Sequence, residues 1–232
     1  MKTLGLIGGM SWESTVTYYR TINEHIKQQL GGLHSAKLFL HSVDFYEIEQ
    51  LQAKGDWQQA GKLLGEAAQA LARAGAEVIV VCTNTMHKVA DDIEHRGGLP
   101  LLHIADATAE KIKQQGLKRI GLLGTKFTME QDFYRGRLQD KHQIEVVTPD
   151  EADRDILHRI IYEELCLGEI RDASREEYRR VISQLEQQGV EGIILGCTEI
   201  SLLVGTPDAM VPVFDTTAIH ALAAAEYALS SS

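Results

Sequence analysis

The chain has 232 residues, 44% hydrophobic and 24% charged, a composition that excludes fibrous, collagenous and largely disordered readings. Lys and Arg number 23 against 33 Asp and Glu, a net charge of −10, which leaves no broad cationic face for nucleic acid or an anionic membrane. No apolar stretch approaches the about 18 residues of a bilayer span, and MKTLGLIGG runs straight into a strand pattern with no secretory leader, so a cytoplasmic protein is expected.

In chain order, the periodicities predict a strand at Leu4–Ile7, a helix at Glu13–Leu30, a strand at Lys37–His41 and a helix at Asp56–Ala74. There follow a strand at Val78–Val81, a helix at Thr85–Glu94, a strand at Leu101–His103 and a helix at Asp106–Gln115. The second half repeats the alternation. Strands are expected at Ile120–Leu123, Ile144–Val147, Ile193–Leu195 and Val211–Phe214, and helices at Met129–Gln139, Glu151–Leu167, Arg175–Gln188 and Thr216–Leu229. Short β-like runs between helices imply an α/β fold with parallel sheets.

The two halves also echo each other: TLGLIGGM by RIGLLGTK, and EVIVVCTNT by EGIILGCTEI, each about 115 residues apart, as a duplicated unit would produce. Two similar α/β lobes with central parallel sheets are therefore expected, residues 1–103 with 211–232 forming one and 104–210 the other. Ligands of open α/β sheets bind at the carboxyl ends of strands, so the four strand-end loops are expected to converge on an active site between the lobes.

Three cysteines, Cys82, Cys166 and Cys197, form no disulfide framework and no metal spacing. Cys197, in LGCTE, follows a buried run and a glycine. At the start of a helix or turn its thiolate would be favoured by backbone N–H groups, and a buried structural cysteine is the alternative. Aligning TNT with CTE puts Thr83 opposite Cys197. Cys82, one residue earlier, then faces the packing side, and Cys166 reads as core. Asn84, Thr85 and Thr198 offer groups that hold a carboxylate, a role compatible with helix capping. GLIGGMSWEST lacks both the third glycine of a dinucleotide loop and the lysine of a phosphate loop. Met10 and Ser11 would line the approach of a small ligand there, Ser11 fitting an N-cap equally well. His87 stands within reach of the cleft or on a partly exposed helix face. His103 and His220 lack ligand-spaced partners, so no metal is expected.

The motifs GGMSWEST, CTNTMHKVAD, LLHIADAT, LLGTKFTMEQDFY, YEELCLG and GCTEI, spread over nearly the full length, resemble the aspartate/glutamate racemase family, and within it the enterobacterial L-aspartate/glutamate-specific branch. The resemblance implies an isomerase that needs neither cofactor nor metal, acts on a small amino acid and assembles as a homodimer. In that family two cysteines, in C-N-T and G-C-T motifs, face each other across the substrate α-carbon, since inversion needs one group to remove the proton and another to return one from the opposite face. This chain departs from the pattern at Thr83, and an alcohol is far too weakly acidic to supply alkoxide at neutral pH.

The resemblance thus assigns Cys197 the proton of L-aspartate or L-glutamate and Thr83 the return from the other side. Chemistry should start from the L-isomer and hardly from the D-isomer, with solvent deuterium entering recovered L-substrate faster than D-isomer forms. Met10, Ser11, Asn84, Thr85 and Thr198 would bind the α-carboxylate and ammonium, and Gln52, with Lys54 nearby, the side-chain carboxylate. For Glu164 two readings stand, an ammonium partner or a solvated helix charge, and Glu199 marks the motif with a supporting role behind the reacting groups open to it. The alternatives are a cysteine-dependent decarboxylase or isomerase of the same superfamily, and a catalytically silent amino-acid-binding protein.

Overall fold

Every residue of β1 (Leu4–Gly8) and β3 (Val78–Val81) is buried, as LGLIG and VIVV require, because strands apolar on both sides belong in a parallel sheet covered by helices on each face. They form the middle of a four-stranded parallel sheet, order β2-β1-β3-β4, with β2 (Leu38–Ser42) and β4 (Leu101–Leu102) outside. Side chains alternate between the two faces. On one, Ile7, Ile79 and Val81 pack with Leu64, Ala68 and Leu71 of the helix Trp57–Ala74. On the other, Leu4, Leu6, Val78, Val80 and Cys82 meet Tyr18, Ile22 and Ile26 of α1 (Trp12–Leu30) and four alanines, Ala221, Ala224, Ala225 and Ala228, of the C-terminal helix Thr216–Leu229.

The structure, a computed structural model, describes residues 1–230 and divides into two units, Met1–Ile104 with Thr217–Ser232, and Ala105–Thr216. Between its strands the first unit carries α1, α2 (Phe45–Lys54), α3 (Trp57–Ala74) and α4 (Ala90–Gly97). The helix α5 (Ile104–Gln114) leads into the second unit, which has its own parallel sheet in the order β6-β5-β7-β8, built from β5 (Arg119–Gly124), β6 (Glu145–Val147), β7 (Gly192–Gly196) and β8 (Val213–Asp215). Its helices are α6 (Lys126–Glu130), α7 (Glu151–Glu163) and α8 (Asp172–Gln187), and α9 (Thr216–Leu229) returns to the first unit. The fold is therefore α/β, made of two sheets of identical strand order. Among the described residues no helix is long and apolar enough to cross a membrane.

The duplication shows in repeated devices as well as repeated order. A Cβ on Gly5 would lie 2.8 Å from Cβ of Ala76 and 3.2 Å from Leu71, and one on Gly121 would lie 2.7 Å from Ile193 and 3.1 Å from Leu185. In each unit a missing side chain lets a helix lie close on the central strand. Glu77 accepts the Thr3 amide at 2.6 Å, and Glu191 accepts the amides of Lys118 and Arg119 at 2.6 and 2.9 Å, so each half begins its first strand under a carboxylate clasp.

Three expectations need correction. The strand expected at Val211–Phe214 does not join the first sheet: β8 pairs with β7 in the register Ile193↔Val213, Ile194↔Phe214 and Leu195↔Asp215, and only α9 returns. Its counterpart is β4, since Ile79 donates to the carbonyl of Pro100 and Ile193 to that of Pro212, both at 2.9 Å. The helix expected at Met129–Gln139 is broken into the short α6, which ends at Glu130, and a π-helical turn at Arg137–Lys141. Helix α2 was not foreseen, although Asp44, whose carboxylate caps Tyr46, and left-handed Gly55 bracket it, the usual start and stop signals.

Candidate active site

In each unit the candidate residues, Gln52 of α2 and Glu164 after α7 apart, follow the two adjacent central strands, β1 and β3 or β5 and β7, the point where strand order reverses and where open α/β sheets bind ligands. In the first unit the turn after β1 is possible only with Gly9: its φ is +93°, and a Cβ there would come within 2.2 Å of the Val43 carbonyl. Gly9 donates to Thr15 Oγ1 at 2.9 Å, and that hydroxyl donates to the Ser11 carbonyl at 2.9 Å. Ser11 occupies the N-cap of α1, but its side chain makes no capping bond. Met10 is buried in the same apolar cluster as Met86, and buried Gln52 of α2 sends its amide Nε2 to within 3.0 Å of Met86 Sδ. Lys54 is exposed.

After β3, Cys82 is fully buried in the core, and burial drives its thiol pKa far above the ordinary range. Thr83 is half-buried, so the two neighbours occupy different environments, as alternation predicts. Asn84 and Thr85 are buried at the start of a 3-10 turn, Thr85–Val89, and the Asn84 side chain does not cap it. His87 is 2% exposed, which corrects the reading of a partly exposed helical histidine.

The ring of His87 lies 4.6 Å from that of His103 and 5.6 Å from that of His220. His220 is completely buried and its pKa is lowered to about 3, first by burial and then by His87. The unfolded chain, with a histidine near 6.5, binds a proton here that the folded chain refuses, so stability is complete above about pH 6.5 and falls as pH drops toward 3. His220 is expected to cost roughly 3 kcal/mol of stability between pH 7 and 4.5. Urea unfolding at the two pH values should show a smaller difference for His220→Gln than for the wild type. Among the described residues no group of three or more His, Cys, Asp or Glu could hold a metal ion.

In the second unit β7 ends at Gly196, and Cys197 follows with 8% of its surface exposed. Of the helix or turn expected here it is the turn that forms, a 3-10 turn at Ile200–Leu202, so no long helix dipole supports a thiolate. The Cys197 pKa is instead raised well above the thiol range, by burial first and then by the Glu199 carboxylate and Cys166. The resting group is a thiol, and it donates to Glu199 Oε2 at 3.0 Å. Thr198 Oγ1 donates to the same oxygen at 2.7 Å. Glu199, expected as a motif marker with a supporting role open to it, is the acceptor for both neighbouring side chains.

Glu164 is also buried, accepting from Ser174 Oγ and lying 3.5 Å from an Arg171 guanidinium nitrogen, which rules out a solvated helix charge. The hydroxyl of Tyr178, fully buried on α8, finds no hydrogen-bond partner among the described residues. Its pKa is raised by burial and then by Cys197, Cys166, Glu164 and Glu199. Cys166, expected in the core, is half-buried on a 3-10 turn at Leu165–Leu167. Tyr178 and Ser174 carry no motif, and only the i, i+2 spacing from Cys197 could have pointed to Glu199.

The arrangement has known relatives. Residues 7–224 match the family model for Asp/Glu/hydantoin racemases. An inferred Asp/Glu racemase of Yersinia pestis superposes with a TM-score of 0.94 at 74% identity, covering 99% of this chain and 100% of that one. An aspartate racemase homologue of Pyrococcus horikoshii superposes at 0.84 with 39% identity, again over 99% and 100%. The broad specificity amino-acid racemase of Bacillus subtilis is 21% identical over 93% of each chain. With a family match over almost its whole length and two parallel sheets of the same strand order, this chain belongs to the Asp/Glu/hydantoin racemases, an isomerase family.

Proposed function

We propose that the protein racemises L-aspartate or L-glutamate without a cofactor, with Cys197 and Thr83 acting on opposite faces of the α-carbon. The observation that carries the reading is the 3.0 Å contact between Cys197 Sγ and Glu199 Oε2. A buried thiol beside a carboxylate reaches its reactive form by internal transfer: the S–H proton moves to Glu199, leaving one negative charge on the pair throughout. The thiolate then takes the α-proton of the L-substrate. The resulting carbanion takes the hydroxyl proton of Thr83, solvent reprotonates the Thr83 oxygen, and Glu199 releases its proton to restore the starting state. Met10, Ser11, Gln52, Asn84, Thr85, Glu164 and Thr198 supply the binding groups in this reading, with Gln52 a neutral donor toward the substrate side chain.

The unequal groups make a particular kinetic pattern. Free enantiomers have equal energies, so kcat/KM for net interconversion is the same in both directions whatever the residues, and the expectation that chemistry hardly starts from the D-isomer is corrected to one about exchange alone. The inequality appears in exchange: Cys197 removes and returns the same-side proton more often than Thr83 captures the carbanion. Proton NMR in deuterium oxide, with no added cofactor, should show deuterium entering recovered L-substrate faster than D-isomer forms, and little deuterium in recovered D-substrate. Equal exchange from both enantiomers overturns the assignment of Thr83. Binding without any exchange would make the protein a silent amino-acid binder.

A further inference from the structure

We infer that His87 is a positioning residue that holds the Thr83 peptide for reprotonation, an inference that rests on the role proposed for Thr83. His87 Nδ1 lies 2.7 Å from the Thr83 carbonyl oxygen, and Nε2 accepts the Ile104 backbone N–H at 3.2 Å. An amide N–H can only donate and a carbonyl only accept. Nε2 is therefore the unprotonated nitrogen, and Nδ1 carries the proton and donates to Thr83. Both partners are main-chain atoms, so the backbone itself selects the tautomer.

The surroundings keep the ring in place. His220, neutral because of its burial, lies beside it and is fixed in the same manner: Nδ1 faces the Tyr18 hydroxyl at 2.7 Å, and Nε2 faces the Leu102 carbonyl at 2.9 Å. Thr83 lies between the end of β3 at Val81 and the 3-10 turn that starts at Thr85. Its carbonyl is held by an imidazole at the point where the chain leaves the sheet. Turning that peptide would swing the Thr83 side chain, and small displacements of an acid from its target are costly in rate.

The two nitrogens can be tested separately. In His87→Asn the amide nitrogen stands near the position of Nδ1, keeping a donor for Thr83 while losing the link to Ile104. In His87→Gln the longer amide reaches toward the position of Nε2, keeping the Ile104 link while losing the donor to Thr83. With L-aspartate in deuterium oxide, His87→Gln should form D-isomer about tenfold or more slowly, with deuterium entry into the L-isomer within about twofold of wild type. His87→Asn should retain most D-isomer formation. A parallel fall of exchange and D-formation, or equal behaviour of the two variants, overturns the inference. Wild type without any exchange would overturn the racemase reading instead. Nitrogen NMR of the imidazole reports the tautomer independently of catalysis, and a His87 protonated on Nε2 would sink the positioning role by itself.

Discussion

Cys197→Ala is expected to abolish α-proton exchange from the L-isomer, a loss of at least about 10²–10⁴-fold, because it removes the one group proposed to take the proton. The more informative partner variant is Glu199→Gln. At neutral pH it should lose a similar factor, since glutamine keeps the shape and a donor or acceptor but cannot take the thiol proton. The two variants then separate with pH. In the proposed wild-type reaction the proton passes from Cys197 to Glu199, which lie 3.0 Å apart, and thiolate formation then needs no hydroxide. In Glu199→Gln the buried thiol must ionise to solvent, and its exchange rate should rise about tenfold per pH unit until its pKa is reached. Removing the carboxylate also removes one of the causes that raise that pKa. Cys197→Ala should stay inactive at every pH. A Glu199→Gln variant with wild-type rate and a flat profile would end the idea of a Cys197–Glu199 pair, and exchange persisting in Cys197→Ala would end the thiol mechanism.

Thr83→Cys should do the opposite on the other face. Thr83 is half-buried, and its neighbour Cys82 is sealed in the core. A thiol at 83 supplies a group that can act as base where the alcohol cannot. Deuterium entry into recovered D-substrate should increase by about 10²-fold or more. Net racemisation should rise equally in both directions, as equal enantiomer energies demand. Cys82→Ala measured alongside should leave exchange near wild type. If Cys82→Ala is the variant that loses activity, the register of the TNT loop is misread, and an unchanged D-side exchange in Thr83→Cys would remove position 83 from the reaction.

Much of this was legible in the chain itself, because its signals are local. Eight strands lie where short apolar runs placed them, since a strand buried on both faces must be apolar throughout, and the alternation of side chains separates Cys82 from Thr83 without reference to anything distant. The repeated TLGLIGG and RIGLLG segments foretold two similar lobes with parallel sheets, though not their common strand order, and the close approaches at Gly5 and Gly121 explain why those glycines recur. What the chain could not show were partnerships between residues far apart in sequence, which contribute nothing until the units are packed. The strand at Val213–Asp215 belongs to the second sheet only because β7 offers it a free edge. Glu164 is buried because Ser174 meets it. His87 has its tautomer chosen by the amide of Ile104. Above all, the resting state of Cys197 was decided by folding: GCTE places a sulfur at a strand end, but burial and the neighbouring carboxylate hold it as a thiol that donates to Glu199, because desolvation depends on the whole surrounding unit and not on the local run of residues.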